Sequence, residues 1–289
     1  ITGASLRMLT KLADKSLLQF DKQRGRYQIH EMLRQYGAEQ LITTVIDKVI
    51  IWDRYSAYYC AALHKLQPDL KSGRQRSALA LIESDLENAR TAWKWAVACR
   101  YVDQLAQAMD SMGHFYEWQG RYQEGIEAFE TAAAALHVHV REWTGSEAIE
   151  AKLVLAQLLA WQSVFNRLLG RTDTAEALLD QCLDLLDDPA LAAEDTRPAR
   201  AFALLQLGSS TFVTNNTIYQ RYRQSLDLYR QLNDPWGIAM ALSSLGRFTR
   251  TTGDYVKTQQ LWEESLERWR MLGNERGIAN ALAELSLLA

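Results

Sequence analysis

Apolar residues recur along most of the chain three and four positions apart, the spacing of amphipathic helices. In the last third, Leu242 and Leu245 belong to one such stripe, and Trp262 and Leu266 belong to the next. Gly253 lies between the two stripes, and a glycine adopts the positive φ that a tight turn requires. The pattern therefore predicts two antiparallel helices joined by a short turn.

This pattern repeats from about Ala106 onwards, most clearly at an offset of 40 residues. Gly237–Ala239 recurs as Gly277–Ala279. A fixed period of about 20–50 residues is typical of stacked supersecondary units. Because neither helix of a unit buries its apolar stripe alone, each pair must stack on the next, and such stacks present extended binding surfaces.

Four successive units resemble the tetratricopeptide repeat, with an apolar residue before Gly in the first helix of several units and Gly at most of the turns. The predicted turn glycines are Gly120, Gly170 and Gly253. The resemblance implies an all-α fold, a right-handed tetratricopeptide-repeat superhelix (an α-solenoid), with about four and a half repeats over residues 103–289. The last unit has one helix, and its apolar residues predict that further repeats follow in a longer parent protein.

The first 41 residues have a different pattern. A helix capped by Ser5 precedes two alternating segments, residues 16–20 and 26–30, which are predicted to pair as the one β-hairpin of the chain. A second helix follows from Glu31. Helix, hairpin and helix are the second half of a winged helix, so we expect a partial winged-helix domain at 1–41 and a helical linker at 42–102.

The sequence motif LADKSLLQF…RYQIHEMLRQYGAEQL resembles one particular winged helix. It is similar to the one that closes the nucleotide-binding module of bacterial STAND-type regulatory ATPases, among them the AfsR/SARP-like and LuxR-like regulators. This resemblance implies that an NTPase domain precedes the chain and that His30 contacts the phosphate of its nucleotide. The chain has no phosphate-binding loop. ATP or ADP with Mg²⁺ is therefore expected only for the upstream domain, with no cofactor in this chain.

Composition agrees with a folded, largely helical protein: 289 residues are 48% hydrophobic and 23% charged, with a net charge of −3. Residues 1–41 hold seven lysine and arginine residues against four acidic ones, a balance of +3 that leaves −6 for the remainder. Three distant cysteines without a CxxC motif predict reduced core residues in a cytoplasmic protein. The sequence shows neither a signal peptide nor a long apolar run, so no membrane segment is predicted.

Catalytic and metal chemistry find little support in the sequence. His137 and His139 are two positions apart, do not share a helical face and have no further ligand motif nearby. We expect them in an exposed loop, and we expect neither a metal site nor catalytic residues. The chain is therefore predicted not to be an enzyme.

The concave side of the predicted superhelix offers the candidate binding residues, because the first helix of each pair lines it. Its predicted floor changes from acidic and histidine-bearing through apolar to basic, which suits a peptide or protein segment, or a small-molecule effector. A merely solvated floor is the alternative. The predicted partner-binding residues are His114, Glu117, Trp161, Arg167, Phe212, Arg247 and Arg250.

Two further expectations concern these side chains. Arg247 and Arg250 are predicted to grip a carboxylate or phosphate together, and their replacement is predicted to leave stability unchanged. The tryptophans predicted to be partly exposed are Trp118, Trp143, Trp161 and Trp236.

The function predicted from these features is that of a non-enzymatic sensor and scaffold. Its expected partners are a segment bound in the groove and its own upstream NTPase domain, which it would control. The alternative is a DNA-binding transcriptional regulator that uses the winged helix. Only Arg7, Lys11 and Lys15 would serve its recognition helix, so nucleic acid is an unfavoured partner.

Overall fold

The computed structural model describes residues 5–21, 26–41, 45–140, 145–210 and 216–288. In these ranges it has fourteen α-helices, one short 3₁₀ helix and one two-stranded sheet. The prediction of an all-α solenoid of helix pairs is confirmed. The division into segments 1–41, 42–102 and 103–289 stays a prediction.

The front of the chain forms a helix, a hairpin and a second helix, in the predicted order. The elements are α1 (Leu6–Asp14), β1 (Gln19–Asp21), β2 (Arg26–Gln28) and α2 (Glu31–Leu41). Ser5 caps α1 by accepting a hydrogen bond from the N–H of Met8. The strands are antiparallel, with Phe20 opposite Tyr27. The first strand begins later than predicted, because Ser16 has a positive φ of 58° and belongs to a turn. The second strand ends at Gln28, two residues before the predicted end.

Three helices connect this front segment to the repeats: α3 (Val45–Leu70), α4 (Gln75–Ser84) and α5 (Leu86–Cys99). A buried serine joins α3 to its neighbours, because the Ser56 hydroxyl lies 2.9 Å from the carbonyl oxygen of Ala92 and 2.5 Å from Oε1 of Gln104. The indole N–H of Trp93 donates to the carbonyl of Ala128. These bonds fix α3 and α5 against the first repeat.

The repeats follow as successive helix pairs. They are α6 (Val102–Trp118) with α7 (Tyr122–Val140), α8 (Ser146–Leu168) with α9 (Thr172–Leu186), α10 (Arg197–Ser210) with α11 (Asn216–Gln231), α12 (Pro235–Thr251) with α13 (Tyr255–Leu272), and the single α14 (Glu275–Ser286). Gly120, Gly170 and Gly253 lie at the turns with φ of 70°, 76° and 84°, as predicted. The predicted handedness of the superhelix stays a prediction.

A glycine facing an aromatic ring explains the Gly in the first helix of the repeat pattern. A Cβ atom at Gly246 would lie 2.2 Å from Nε1 of Trp262, and one at Gly113 would lie 2.5 Å from the ring of Trp161. Trp262 is fully buried, and its indole N–H donates to the carbonyl of Ser243. The glycine thus leaves space for the ring through which neighbouring helices pack.

The cysteines follow the predicted core pattern in two of three cases. Cys60 and Cys182 are fully buried, whereas Cys99 is only half-buried. Burial raises the pKa of the Cys60 thiol to about 11 and that of Cys182 to about 12. Both thiols therefore stay protonated near neutral pH and behave as apolar core groups.

One local expectation needs correction. His137 lies on α7 and is exposed, so this segment is helical rather than a loop. Helix α8 is long and apolar enough to span a membrane by length and composition, although the sequence pattern did not predict this. Because 72% of its apolar window is buried inside the protein, α8 has the character of a core helix.

The contact between Gly246 and Trp262 leads to a stability prediction. Replacing Gly246 with Ala should destabilise the fold by about 1–3 kcal/mol, because the added methyl group overlaps a fully buried ring. Thermal or urea unfolding followed by circular dichroism measures this change. Gly37 on α2 is the control, since nothing lies within 4 Å of a Cβ there, and its replacement with Ala should stabilise by up to about 1 kcal/mol. Equal stability losses for both variants would contradict this account.

Candidate binding site on the concave side

The first helices of four pairs meet around one cavity of about 220 Å³, which we call the central cavity. Its lining includes His114 of α6, Trp161 of α8, Phe202 of α10 and Trp236 of α12. On α6 and α8 the lining residues are four positions apart, Asp110 with His114 and Gln157 with Trp161, so they share one face of their helix. The cavity therefore draws on residues far apart in sequence.

His114 is enclosed by three tryptophan rings. Its ring stacks on Trp118 at 4.4 Å between centroids and meets the edges of Trp161 and Trp236 at 4.8 and 5.2 Å. His114 is 3% exposed, and in the part of the chain that the structure describes its Nδ1 has no hydrogen-bond partner. The nearest carboxylate oxygen, Oε2 of Glu117, is 3.6 Å away.

Two of the tryptophans predicted to be partly exposed are in fact buried. Trp161 is 2% exposed and Trp236 is 7% exposed, whereas Trp118 is half-buried. Trp161 packs against Gly113 of α6 and Phe202 of α10, whereas Trp236 meets His114 of the first pair. A register of repeats describes how neighbours stack and does not include the contact of Trp236 with the first pair. Trp143 lies outside the described residues.

The segment before the repeats and the end of the described repeats also touch through their backbones. The N–H of Gly73, between α3 and α4, donates to the carbonyl of Leu272 at 3.2 Å. A Cβ atom at Gly73 would lie 2.9 Å from the carbonyl oxygen of Gly273. The guanidinium of Arg276 lies 5.6 Å over the ring of Trp118. We call the backbone contact between Gly73 and residues 272–273 the clasp.

A charged cluster lies next to His114. Burial lowers the pKa of the Arg167 guanidinium, the charge of Glu117 opposes this shift, and the charge of Arg247 adds to it. The Nη2 group of Arg167 donates to Oε1 of Gln206 at 3.3 Å. Its Nε is buried and has no partner among the described residues. Arg167 is thus a desolvated cation whose hydrogen bonding is incomplete.

Arg247 and Arg250 differ from each other more than their spacing suggests. Arg247 donates to Oε1 of Glu284 at 2.6 Å and to the hydroxyl of Ser244 at 2.8 Å. The side chain of Glu284 is only 13% exposed. The expectation that replacing Arg247 leaves stability unchanged is therefore wrong, because the loss would leave a largely buried carboxylate unpaired. Arg250 is exposed and has no side-chain partner within the described ranges.

The structure thus brings together five of the seven predicted partner-binding residues. They are His114, Glu117, Trp161, Arg167 and Arg247. Arg250 lies one turn beyond Arg247, and Phe212 lies outside the described residues. Whether these residues bind a partner stays a prediction.

His30, predicted to sense a nucleotide, does not belong to this cluster. It is exposed before α2, and its Nδ1 accepts a hydrogen bond from the N–H of Met32 at 3.3 Å. No group of three or more metal-ligating side chains occurs in the described part of the chain.

Lys71 and Asp234, which were not among the predicted site residues, also line the central cavity. Lys71 follows α3 in the segment before the repeats, so a register confined to the repeats does not include it. Asp234 precedes α12 and caps it: its Oδ1 accepts from the N–H groups of Trp236 and Gly237. No signal in the sequence placed either residue in a cavity.

The two arginines of the charged cluster should respond in opposite ways to replacement by methionine. Arg167→Met should leave stability unchanged or raise it by about 1 kcal/mol, because it removes a desolvated charge and keeps the length of the side chain. Arg247→Met should lower stability by about 1–3 kcal/mol, because Glu284 loses its partner. Urea unfolding measures both changes, and the reverse order would contradict this description of the cluster.

No protein-family model matches the chain. Over 255 residues the chain is 27% identical to proteins of Mycobacterium bovis and of two strains of Mycobacterium tuberculosis that carry the name HTH-type transcriptional regulator. The match covers 86% of the chain and 27% of each relative, so the chain spans about a quarter of their length. A STAND-type signal transduction ATPase of Pyrococcus horikoshii with a tetratricopeptide repeat sensor aligns with 98% of the chain and 42% of its own length, at a TM-score of 0.46 and 13% identity.

Proposed function

We propose that the chain is the sensor and scaffold region of a larger STAND-type cytoplasmic regulator and binds a protein segment on its concave side. The observation that best supports this is the incomplete bonding of polar groups gathered there. Nδ1 of His114 and Nε of Arg167 have no partner among the described residues. Buried polar groups usually have a partner, so such atoms are favourable positions for one supplied by a ligand.

The chemistry of this side favours a peptide or protein segment over a small-molecule effector. Aromatic and arginine side chains carry much of the binding energy at protein interfaces, and here both types lie within one cluster. The exposed Arg250 extends the cluster along α12. The half-buried Trp118 and the exposed Arg250 are the members of these two types that a bound segment could reach directly.

The sensor role rests on population shift. A segment that binds better to one arrangement of the repeats would favour that arrangement, and through the winged helix it would bias an upstream NTPase that holds ATP or ADP with Mg²⁺. Two facts support a region of this kind: the chain is a stack of helix pairs, and its relatives named as transcriptional regulators are about four times as long as the matched part.

Site-specific photo-crosslinking in the native host tests the partner site. A photoreactive phenylalanine in place of Arg250 should give a discrete adduct. The same group in place of Arg270 should give none. Both arginines are exposed, and they lie on the first and second helices of the same pair. Equal adducts from both positions, or an adduct from position 270 alone, would contradict a partner on the concave side.

Once this adduct identifies the partner segment, affinity provides the quantitative test. Arg250→Ala should weaken binding of the segment by about 1.5–3 kcal/mol, the usual contribution of a hydrogen bond to a charged group. Arg270→Ala should leave the affinity unchanged. Both variants should keep the unfolding temperature of the original chain, since neither side chain has a partner in the described ranges.

The second candidate function is DNA binding, which the names of the mycobacterial relatives favour. Arg7, Lys11 and Lys15 are exposed on or beside α1 and could contact only a few phosphates. The sensor proposal therefore expects weak, salt-sensitive binding to duplex DNA. Sequence-specific binding that persists at roughly 200 mM salt in a mobility-shift assay would favour the second function instead.

A further inference from the structure

The central cavity contains two carboxylates with unused bonding capacity. Oδ1 of Asp110 accepts from the indole N–H of Trp161 at 3.2 Å, and Oδ1 of Asp234 caps α12. In the described part of the chain, no hydrogen bond reaches Oδ2 of either residue. Burial raises the pKa of the Tyr229 phenol, and the charges of Asp234 and Asp110 raise it further, so both carboxylates act on the same wall of the cavity.

The side chain of Lys71 already places a cation in the wall of the central cavity. The ammonium of Lys71 lies 5.0 Å over the ring of Trp236. Among the described residues Lys71 makes no ion pair, so its contact with the aromatic face is the interaction that holds the ammonium in place. Cations are attracted to the faces of aromatic rings, and cages of such rings recognise ammonium groups.

His114 supplies an independent indication of a ligand. It lines the same cavity, is 3% exposed, and has no described partner for Nδ1. An enclosed polar atom of this kind is completed by water or by a bound group. The wall of the cavity therefore combines aromatic faces, two carboxylates and an unsatisfied polar atom.

We infer that the central cavity binds a primary ammonium group on an unbranched aliphatic stem, and that Lys71 occupies this position in the free chain. The inference deepens the proposed function, because the cavity lies beside the proposed partner site. The balance of charge favours a cation: without Lys71 the lining has two carboxylates and no lysine or arginine. A volume of about 220 Å³ suits one side chain rather than a folded surface.

Displacement of Lys71 would also act on the clasp. Lys71 is two residues before Gly73, whose N–H is bonded to the carbonyl of Leu272. A ligand ammonium that replaces Lys71 would therefore act beside the loop between α3 and α4, which is bonded to the end of the described repeats. Occupation of the cavity would in this way be communicated along the array.

The full chain can be titrated with n-pentylamine by isothermal calorimetry at neutral pH, where this amine is an ammonium ion. Lys71→Met removes the internal cation and keeps the aliphatic stem, so it should bind n-pentylamine at least about tenfold more tightly than the original chain. Lys65→Met is the matched control, because Lys65 is exposed on the neighbouring α3 and does not line the cavity. It should bind as the original chain does.

Two further measurements separate charge recognition from apolar binding. 1-Pentanol, which has the same stem without the charge, should bind Lys71→Met at least tenfold more weakly than the amine. Asp110→Asn should weaken amine binding, since its amide oxygen still accepts from Trp161 while the negative charge is lost. The Asp110→Asn variant also tests the inference if Lys71→Met fails to fold. Equal affinities for amine and alcohol, or no effect of Lys71→Met in a folded protein, would overturn the inference.

The source of the ammonium is decided with a lysine-containing heptapeptide and its Nε-acetyllysine counterpart. Binding of the lysine peptide alone indicates a protein side chain, binding of n-pentylamine alone indicates a free amine, and equal binding of both peptides contradicts the inference. The crosslinking experiment at position 250 is independent of these titrations. An adduct there without amine binding refutes only this inference, and amine binding without an adduct refutes only the proposed partner site.

Discussion

Packing of an aromatic ring against a glycine joins several neighbouring helices of the repeats, and the spacing of the stack depends on it. Gly246 with Trp262 and Gly113 with Trp161 are two examples, each with a ring that is almost fully buried. A side chain at these glycines would push the helices apart, because protein cores have little free volume. The short distance between helices is what brings the concave side chains within reach of one another.

This packing also explains why the His114 ring is enclosed by tryptophan rings. Stacking of neighbouring pairs curves the array until α12 of the fourth pair lies over α6 of the first, where the rings of His114 and Trp236 meet at 5.2 Å. The clasp at Gly73 lies at the same junction. A solenoid of nearest-neighbour contacts thus acquires contacts between distant units, among them His114 with Trp236 and Arg276 with Trp118, and both rings of the first contact line the central cavity.

The electrostatics of the concave side depend on burial as much as on charge. Arg167 is partly desolvated and carries an unpartnered Nε, whereas Arg247 has a carboxylate partner that is largely buried, and Arg250 is exposed. Three arginines on one side of the array therefore have three different roles in the energy of the fold. The repeat register treats the three arginines as equivalent, since it specifies only the direction in which each side chain points. It does not specify which side chains lie next to each arginine.

By itself the sequence determined the helix pairs, the glycine turns and the hairpin, because these follow from local periodicity and backbone preferences. It placed His114, Glu117, Trp161, Arg167 and Arg247 on a common side. Tertiary structure decided how deeply Trp161 and Trp236 are buried, the pairing of Arg247 with Glu284, and the position of Lys71 over Trp236. These features depend on the geometry of the stack, which is the sum of small rotations at every interface between helix pairs. No local sequence pattern encodes that sum.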